Sequence, residues 1–283
     1  MGRDTRNPRG AKGFPLPQDG GCPRVAAVLA NPTVAGVTTY APIPAVATER
    51  RTRPSAVRRR IASVWIALSS LAIVGFALST YTAGTIDALA ADEVGLAPHY
   101  STLPAFFHSV LYVHIGGASL ALLLGPLQFA TALRARFTRL HRWTGRVYIV
   151  AVLVAGVAGL ILAPVNEAGF VGFFGFGGLA VIWIISAVNA YRTARAGDFR
   201  AHRAWMIRNF AMTYAAVTLR LWLGVLVLVH LAVGLEGAQA FTNAYAAVPF
   251  LAWLPNLVVA EIMIARRGLP GLRWSDASRT RGA

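Results

Sequence analysis

The chain has 283 residues, of which 56% are hydrophobic and only 13% are charged. A soluble domain carries about 25% charged residues, so this composition excludes an ordinary soluble protein. The net charge of +16 comes from arginines in short clusters between apolar runs, so we expect no nucleic-acid partner. The single cysteine, Cys22, excludes an internal disulfide framework and a cysteine-based metal site.

The chain divides into two tails and one apolar region. Residues 1–57 are rich in Gly, Pro and Arg and have no sustained period, which predicts a disordered basic cytoplasmic tail. Residues 58–267 are predicted to form a transmembrane bundle, and residues 268–283 a second cytoplasmic tail.

Six apolar segments make up the bundle, each near or above the roughly 20 residues that a spanning helix needs. They are residues 61–81, 106–133, 143–163, 173–191, 204–231 and 244–265. Short loops join them, so neighbours in sequence should pack as neighbours in space. We therefore predict an all-α fold, a polytopic membrane bundle of six transmembrane helices embedded in a lipid bilayer.

The loops alternate in charge, which predicts the orientation. Arginines precede the first segment, follow the last, and occur between segments 2 and 3 and between segments 4 and 5. The alternate loops, 82–105, 164–172 and 233–243, contain no Lys or Arg. Because basic loops stay in the cytoplasm, both termini are predicted to be cytoplasmic (N-in/C-in) in a bacterial plasma (inner) membrane.

The fifth segment carries Arg220 near its middle, and an arginine at that depth is costly enough to mark a functional site. On a helix it shares a face with His202, Asn209 and Thr213. Glu261 is the only acid inside a span, and it lies too near the cytoplasmic end to pair with Arg220. The missing carboxylate predicts a polar or anionic partner, such as a haem propionate or a substrate anion.

The second segment has one face of small residues with a polar residue at each end. His114, Ala118, Ala121, Gly125 and Gln128 fall within about 40° of one line on a helix. Small residues let either a neighbouring helix or a flat cofactor approach the backbone. We therefore take His114, Gln128 and Arg220 as candidate cofactor-binding residues, with plain helix packing as the alternative. His114 could also form an outer site with His230 or His108.

Two loops enter the membrane with a similar pattern. The third segment is preceded by Leu140-His141-Arg142-Trp143, and the fifth begins His202-Arg203-Ala204-Trp205. Trp and Arg at this position are typical of interfacial anchors. The alternative is that His141 and His202 are the axial ligands of a haem b between two helices, since imidazole is a common ligand of haem iron.

The stretch from His114 to Arg220 resembles a family of bacterial membrane proteins, domain of unknown function 2306 (DUF2306). The matching pieces are His114, Gly125-Pro126-Leu127-Gln128-Phe129, Leu140-His141-Arg142, Gly145-Arg146, Tyr148, His202-Arg203, Trp205-Met206, Arg208 and Thr218-Leu219-Arg220. The resemblance implies a multi-pass membrane protein without an assigned activity. The histidine layout is also loosely similar to cytochrome b561-type haem proteins, whose ligand pairs lie on helices two apart. His141 and His202 match that rule, whereas the fourth segment has no histidine to pair with His114.

Three functional hypotheses follow. The first is a b-type haem protein that exchanges electrons with a quinone or another redox partner. The second is a non-redox carrier or scaffold that holds an anionic or lipid ligand near Arg220. The third is an integral enzyme that acts on lipid headgroups with the cytoplasmic histidines as bases; it lacks neighbouring acids or nucleophiles and is the weakest.

Overall fold

The computed structural model describes residues 56–272, in which every regular element is a helix. The all-α prediction is therefore confirmed for this part of the chain. The predicted tail of residues 1–57 lies outside the described residues, apart from the last two, which begin the first helix. Residues 273–283 of the second predicted tail also lie outside them.

Eleven helices occur in the described residues, together with a 3-10 turn at Ala163–Val165. They are α1 (Ala56–Thr82), α2 (Ile86–Ala91), α3 (Ala97–Ser101), α4 (Ala105–Phe129), α5 (Thr131–Arg136), α6 (Thr138–Leu162), α7 (Gly169–Arg195), α8 (Phe199–Thr213), α9 (Ala215–Ala232), α10 (Gly237–Leu251) and α11 (Leu254–Arg266). Six helical segments among them are long and apolar enough to cross a membrane: α1, α4, α6, α7, α8 with α9, and α10 with α11. The predicted number of spans is confirmed.

Spanning helices that are adjacent in sequence pack against each other, as the short loops predict. The pairs α4–α6, α6–α7, α7–α8 and α9–α10 make the main contacts, and α1 packs against α4. The outward faces carry exposed large apolar side chains, among them Trp65, Phe170 and Leu228. Such a surface suits lipid contact, because a soluble protein rarely exposes so much contiguous apolar surface.

The centre of the bundle is closed by a polar network. The hydroxyl group of Tyr148 donates to Asn209 Oδ1 at 2.6 Å and lies 2.9 Å from Thr213 Oγ1. Trp183 Nε1 donates to the same Thr213 oxygen at 2.9 Å, and Asn209 Nδ2 donates to Ser186 Oγ at 2.8 Å. This network joins α6, α7 and α8, and burial away from water makes each of its bonds costly to lose.

The fifth predicted span is confirmed as Phe199–Ala232, and it contains one irregularity that the sequence did not predict. The backbone is interrupted at Tyr214, between α8 and α9. The carbonyl oxygen of Ala211 accepts a hydrogen bond from Asn256 Nδ2 of α11 at 3.2 Å. A side chain of a neighbouring helix thus satisfies a backbone group at the break, which the bilayer could not do.

The sixth predicted segment is also broken, at Ala252 and Trp253 between α10 and α11. The Ala252 carbonyl accepts from Thr218 Oγ1 at 2.5 Å and from Asn256 Nδ2 at 3.1 Å. Pro249 and Pro255 flank the break, and a proline removes a backbone donor from a helix. The two breaks therefore lie side by side and share Asn256 and Thr218.

The two ends of the bundle differ. We call the end formed by residues 83–104, 163–168 and 233–236 the arginine-free end, and the opposite end the arginine-rich end. Residues 83–104, which include α2 and α3, form a cap over the arginine-free end. Its apolar side chains Ile86 and Tyr100 pack with Leu111 and Leu162 of the bundle. The ring nitrogen His99 Nε2 adds a 2.7 Å bond to the Val165 carbonyl oxygen.

Near the arginine-rich end, a buried ion pair joins α8 to α11. Arg208 Nε lies 2.5 Å from Glu261 Oε1, and Arg208 Nη2 lies 2.9 Å from Oε2. The Arg208 side chain is 3% exposed and the Glu261 side chain is 35% exposed. Glu261 therefore pairs with Arg208, and the sequence-based expectation that it does not pair with Arg220 agrees with this contact.

We predict that Glu261→Ala lowers the free energy of unfolding by about 2–3 kcal/mol, because it leaves the Arg208 charge buried and unpaired. The loss is smaller than for a fully buried pair, since solvent reaches Glu261. The measurement is unfolding of the purified protein in mixed detergent micelles. The double variant Arg208→Met/Glu261→Met should recover most of the loss; a double variant as unstable as Glu261→Ala would contradict the assignment.

Candidate functional site

The residues singled out from the sequence separate into two groups at opposite ends of the bundle. His114 of α4 and Arg220 of α9 lie in one electrostatic neighbourhood. His141 of α6 and His202 of α8 lie in another, at the arginine-rich end. Gln128 is 14 residues from His114 on α4, a rise of about 21 Å, and belongs to the second end.

Arg220 is partly buried and has few partners. Its Nη1 donates to the Ala216 carbonyl oxygen, one turn earlier on α9, at 2.8 Å. Its Cζ lies 5.8 Å from the centre of the Phe76 ring of α1. Within residues 56–272 no carboxylate forms a salt bridge with Arg220. The cation thus has one backbone carbonyl and one aromatic face, and no counter-ion from the described residues.

Four polar side chains, each contributed by a different helix, interact electrostatically with Arg220 or with one another. The charge of Arg220 acts on Tyr81 of α1, His114 of α4 and Tyr245 of α10. Tyr100 of α3, in the cap, interacts electrostatically with Tyr81 and Tyr245. We call these five residues the Arg220 cluster.

The hydroxyl groups of the Arg220 cluster are unpaired. The hydroxyls of Tyr81, Tyr100 and Tyr245 have no hydrogen-bond partner in the described part of the chain. These oxygen atoms are not fully enclosed by the protein, so a ligand can reach them. Tyr100 is only 6% exposed and Tyr245 only 7%. A buried tyrosine hydroxyl usually finds a partner, so these groups point to a ligand that the protein itself does not supply.

His114 is held by one of its two nitrogens. His114 Nδ1 lies 2.8 Å from the Ala155 carbonyl oxygen of α6. Gly159 lies beside the ring, because a Cβ atom there would be 3.2 Å from His114 Cε1. His114 Nε2 has no partner among the described residues and is not fully enclosed. The imidazole is thus fixed in orientation with one nitrogen available.

Tyr100, which lies outside the spanning helices, is a neutral donor. Burial, with the nearby Tyr81 and Glu167 adding to its effect, raises the pKa of Tyr100 from 10.0 to about 12. Its hydroxyl therefore keeps its proton throughout the physiological range and can donate to a ligand oxygen.

The small-residue face of α4 is filled by neighbouring helices. A Cβ atom on Gly125 would lie 2.4 Å from Cε2 of Phe210, so the Phe210 ring covers this glycine. Gln128 Nε2 donates to Thr144 Oγ1 of α6 at 3.0 Å. At these two positions the face is used for helix packing, the alternative reading of the sequence, while His114 at its other end keeps a free nitrogen.

His141 and His202 lie close enough for the charge of one to act on the other. His202 Nδ1 lies 2.8 Å from the Ala190 carbonyl oxygen, which orients the ring. His141 Nδ1 is buried and has no partner in residues 56–272. This makes His141 unusual, because each of the other five histidines has a ring nitrogen bonded to a backbone carbonyl.

The two other histidines of the alternative outer site are each oriented by a backbone carbonyl. His108 Nε2 lies 2.8 Å from the Tyr100 carbonyl oxygen, and His230 Nδ1 lies 2.7 Å from the Leu226 carbonyl oxygen. No group of three or more His, Cys, Asp or Glu that could hold a metal ion occurs in the part of the chain that the structure describes.

The sequence reading missed the three tyrosines of the Arg220 cluster. Tyr81 and Tyr245 lie near span ends, and Tyr100 lies in an arginine-free loop, where tyrosine is common as an interfacial residue. One signal was available, since all three belong to the half of the bundle that also contains His114 and Arg220. Their convergence depends on the fold of the cap, which no periodicity reveals.

Comparison with known proteins identifies the family to which the chain belongs. The model of the family described as "Predicted membrane protein (DUF2306)" matches residues 111–264. No curated protein and no solved structure matches the chain. The matched region covers just over half of the chain and includes every helix from most of α4 to most of α11. The protein therefore belongs to the DUF2306 family of predicted membrane proteins.

Proposed function

We propose that this protein is a ligand-binding membrane protein that holds an anionic group at Arg220. The observation that carries the proposal is the coincidence of an uncompensated cation with unpaired donors. Arg220 lacks a carboxylate partner in residues 56–272, and the hydroxyls of the buried residues Tyr100 and Tyr245 have no hydrogen-bond partner there. An oxyanion accepts hydrogen bonds from all of these groups and neutralises the charge.

Energetics support binding over a purely structural role. A charge in the middle of a membrane costs about 2.5–3.5 kcal/mol on insertion scales. Arg208 offsets that cost with Glu261, but Arg220 has only a carbonyl and an aromatic ring. A ligand with charge-assisted hydrogen bonds would contribute about 1.5–3 kcal/mol for each bond. A buried charge whose free-energy cost the protein does not offset is expected at a site that binds a ligand.

We predict that Arg220→Gln weakens binding of anionic amphiphiles by at least about tenfold, the equivalent of ~1.4 kcal/mol. Dioleoyl phosphatidic acid and oleate serve as probes, with dioleoyl phosphatidylcholine as the neutral comparison. The measurement is the rise in thermal unfolding midpoint of the full-length protein in detergent, since a ligand that binds only the folded state stabilises it.

The matched control is Arg203→Gln, which removes an exposed arginine at the arginine-rich end. It should bind the probes as the wild type does. Without ligand, Arg220→Gln should be at least as stable as the wild type, because it removes an unpaired buried charge. A marked loss of unliganded stability together with unchanged probe binding would show that Arg220 is structural.

A second candidate function is haem binding at the arginine-rich end, and the unpaired His141 favours it. Its donor set fits a haem, because His202 is oriented through Nδ1 and both rings keep Nε2 without a protein partner in the described residues. Such a haem would supply one-electron chemistry, with a quinone or another redox partner. His141 and His202 would be its axial ligands.

For this candidate we predict that protein purified from haem-supplemented cells shows a Soret band and a pyridine haemochrome. His141→Asn and His202→Asn should each abolish the band, because an amide does not replace an imidazole as an iron ligand. His99→Asn, at the opposite end, is the control and should leave the band unchanged. A colourless wild-type protein would eliminate this candidate and leave the Arg220 proposal untouched.

We further propose that the arginine-rich end faces the cytoplasm and that the membrane is a bacterial plasma membrane. The support is the complete absence of Lys and Arg from residues 83–104, 163–168 and 233–236. With basic loops retained in the cytoplasm, both termini are cytoplasmic and the Arg220 cluster lies in the outer half of the bilayer.

To test the orientation, single cysteines are introduced into a Cys22→Ser background. Thr102→Cys, exposed in the cap, should react in intact cells with a maleimide that does not cross membranes. Ala196→Cys, exposed in the turn between α7 and α8, should react only after the cells are permeabilised. The reverse pattern would invert the orientation.

A further inference from the structure

The Arg220 cluster contains a fixed hydrogen-bond acceptor as well as donors. Because the Ala155 carbonyl can only accept, the proton of neutral His114 must lie on Nδ1. His114 Nε2 then presents a lone pair. A ligand that satisfies the whole cluster needs negative oxygens for Arg220 and the tyrosines, and one hydroxyl proton for His114.

The charged and titratable groups of the cluster and its surroundings come from α1, α3, α9, α10 and the loop before α7. Arg220 of α9 is a fixed cation, and the phenols of Tyr81, Tyr100 and Tyr245 come from α1, α3 and α10. From α6, the Ala155 carbonyl oxygen and Gly159 lie against His114. Glu167, which interacts with Tyr100 and Tyr245, is exposed.

Access to the cluster is better from the bilayer than from the arginine-free end. The cap closes that end, with Ile86, Tyr100 and Leu162 in one buried apolar group. Along the seam between α1 and α9, by contrast, no α9 residue beyond Val217 is buried. Cβ atoms on Gly75 and Gly224 would meet nothing within 4 Å. Phe76, whose ring lies against Arg220, is 56% exposed.

We infer that the ligand of the Arg220 cluster is a membrane lipid with a phosphate monoester headgroup, which enters between α1 and α9 and directs its P–OH group at His114 Nε2. This inference rests on the proposed function and specifies its ligand. A phosphate monoester keeps a negative charge when it carries one proton, and its second pKa is about 6. A phosphodiester has the charge but no P–OH group. Free inorganic phosphate shares the chemistry but lacks the lipid tail that suits lateral entry.

The test compares two lipids that differ by one methyl group, dioleoyl phosphatidic acid and dioleoyl phosphatidylmethanol. Native mass spectrometry of the full-length protein in detergent measures retention of each from an equimolar mixture. The wild type should retain phosphatidic acid about tenfold better, as expected for one charge-assisted hydrogen bond. His114→Asn should remove this preference, because its amide can still donate to the Ala155 carbonyl but cannot replace Nε2 as an acceptor.

His230→Asn is the matched control, because His230 is also half-buried with Nδ1 on a backbone carbonyl. It should keep the full preference. Equal retention of the two lipids by the wild type would overturn the inference, as would a preference that survives in His114→Asn. Displacement of the lipid by excess inorganic phosphate would show that the ligand is a soluble phosphate and would equally overturn it. If the wild type retained both lipids equally and Arg220→Gln retained neither, the proposed function would stand and this inference would be wrong.

Discussion

A bilayer offers no water to a polar group, so each polar atom inside this bundle must find its partner in the protein or in a ligand. In the arginine-rich half several polar groups meet this constraint internally, and the buried His141 Nδ1 is an exception. Arg208 has the carboxylate of Glu261, and the hydroxyl of Tyr148 has Asn209 and Thr213. The other half does not, since the hydroxyls of its buried tyrosines have no partner in residues 56–272. The same constraint that stabilises one half therefore identifies the other as a place for a ligand.

The two broken spans follow from the same constraint. Breaking α8–α9 and α10–α11 at neighbouring depths lets one side chain, Asn256, serve the carbonyl oxygens of both Ala211 and Ala252. Thr218 contributes to the same junction. Arg220 lies close to this junction, because it is only two residues beyond Thr218. The junction thus anchors the part of α9 that carries the cation, although the rest of α9 has no buried residue.

Hydropathy and charge were sufficient to predict six spans and their neighbours, because membrane thickness and short loops leave few alternatives. They did not predict the breaks at Tyr214 and Trp253, since the interrupted segments are as apolar as continuous helices and their carbonyls are satisfied by distant residues. The absence of an acid for Arg220 was visible in the sequence, as was the poor placement of Glu261. The pairing of Glu261 with Arg208 and the convergence of the three tyrosines could be seen only in the tertiary structure, because they depend on helix packing and on the folded cap.

The packed middle of the bundle limits what the two candidate sites can do together. Between them lie Tyr148 and Asn209, both fully buried, and Gly125 covered by the ring of Phe210. No side chain in this layer is free to move aside without breaking a hydrogen bond or opening a void, each of which costs a kilocalorie or more. These tightly packed residues therefore separate Arg220 from His141. A ligand bound at Arg220 would therefore lie at one end of the bundle, on the far side of this layer from His141.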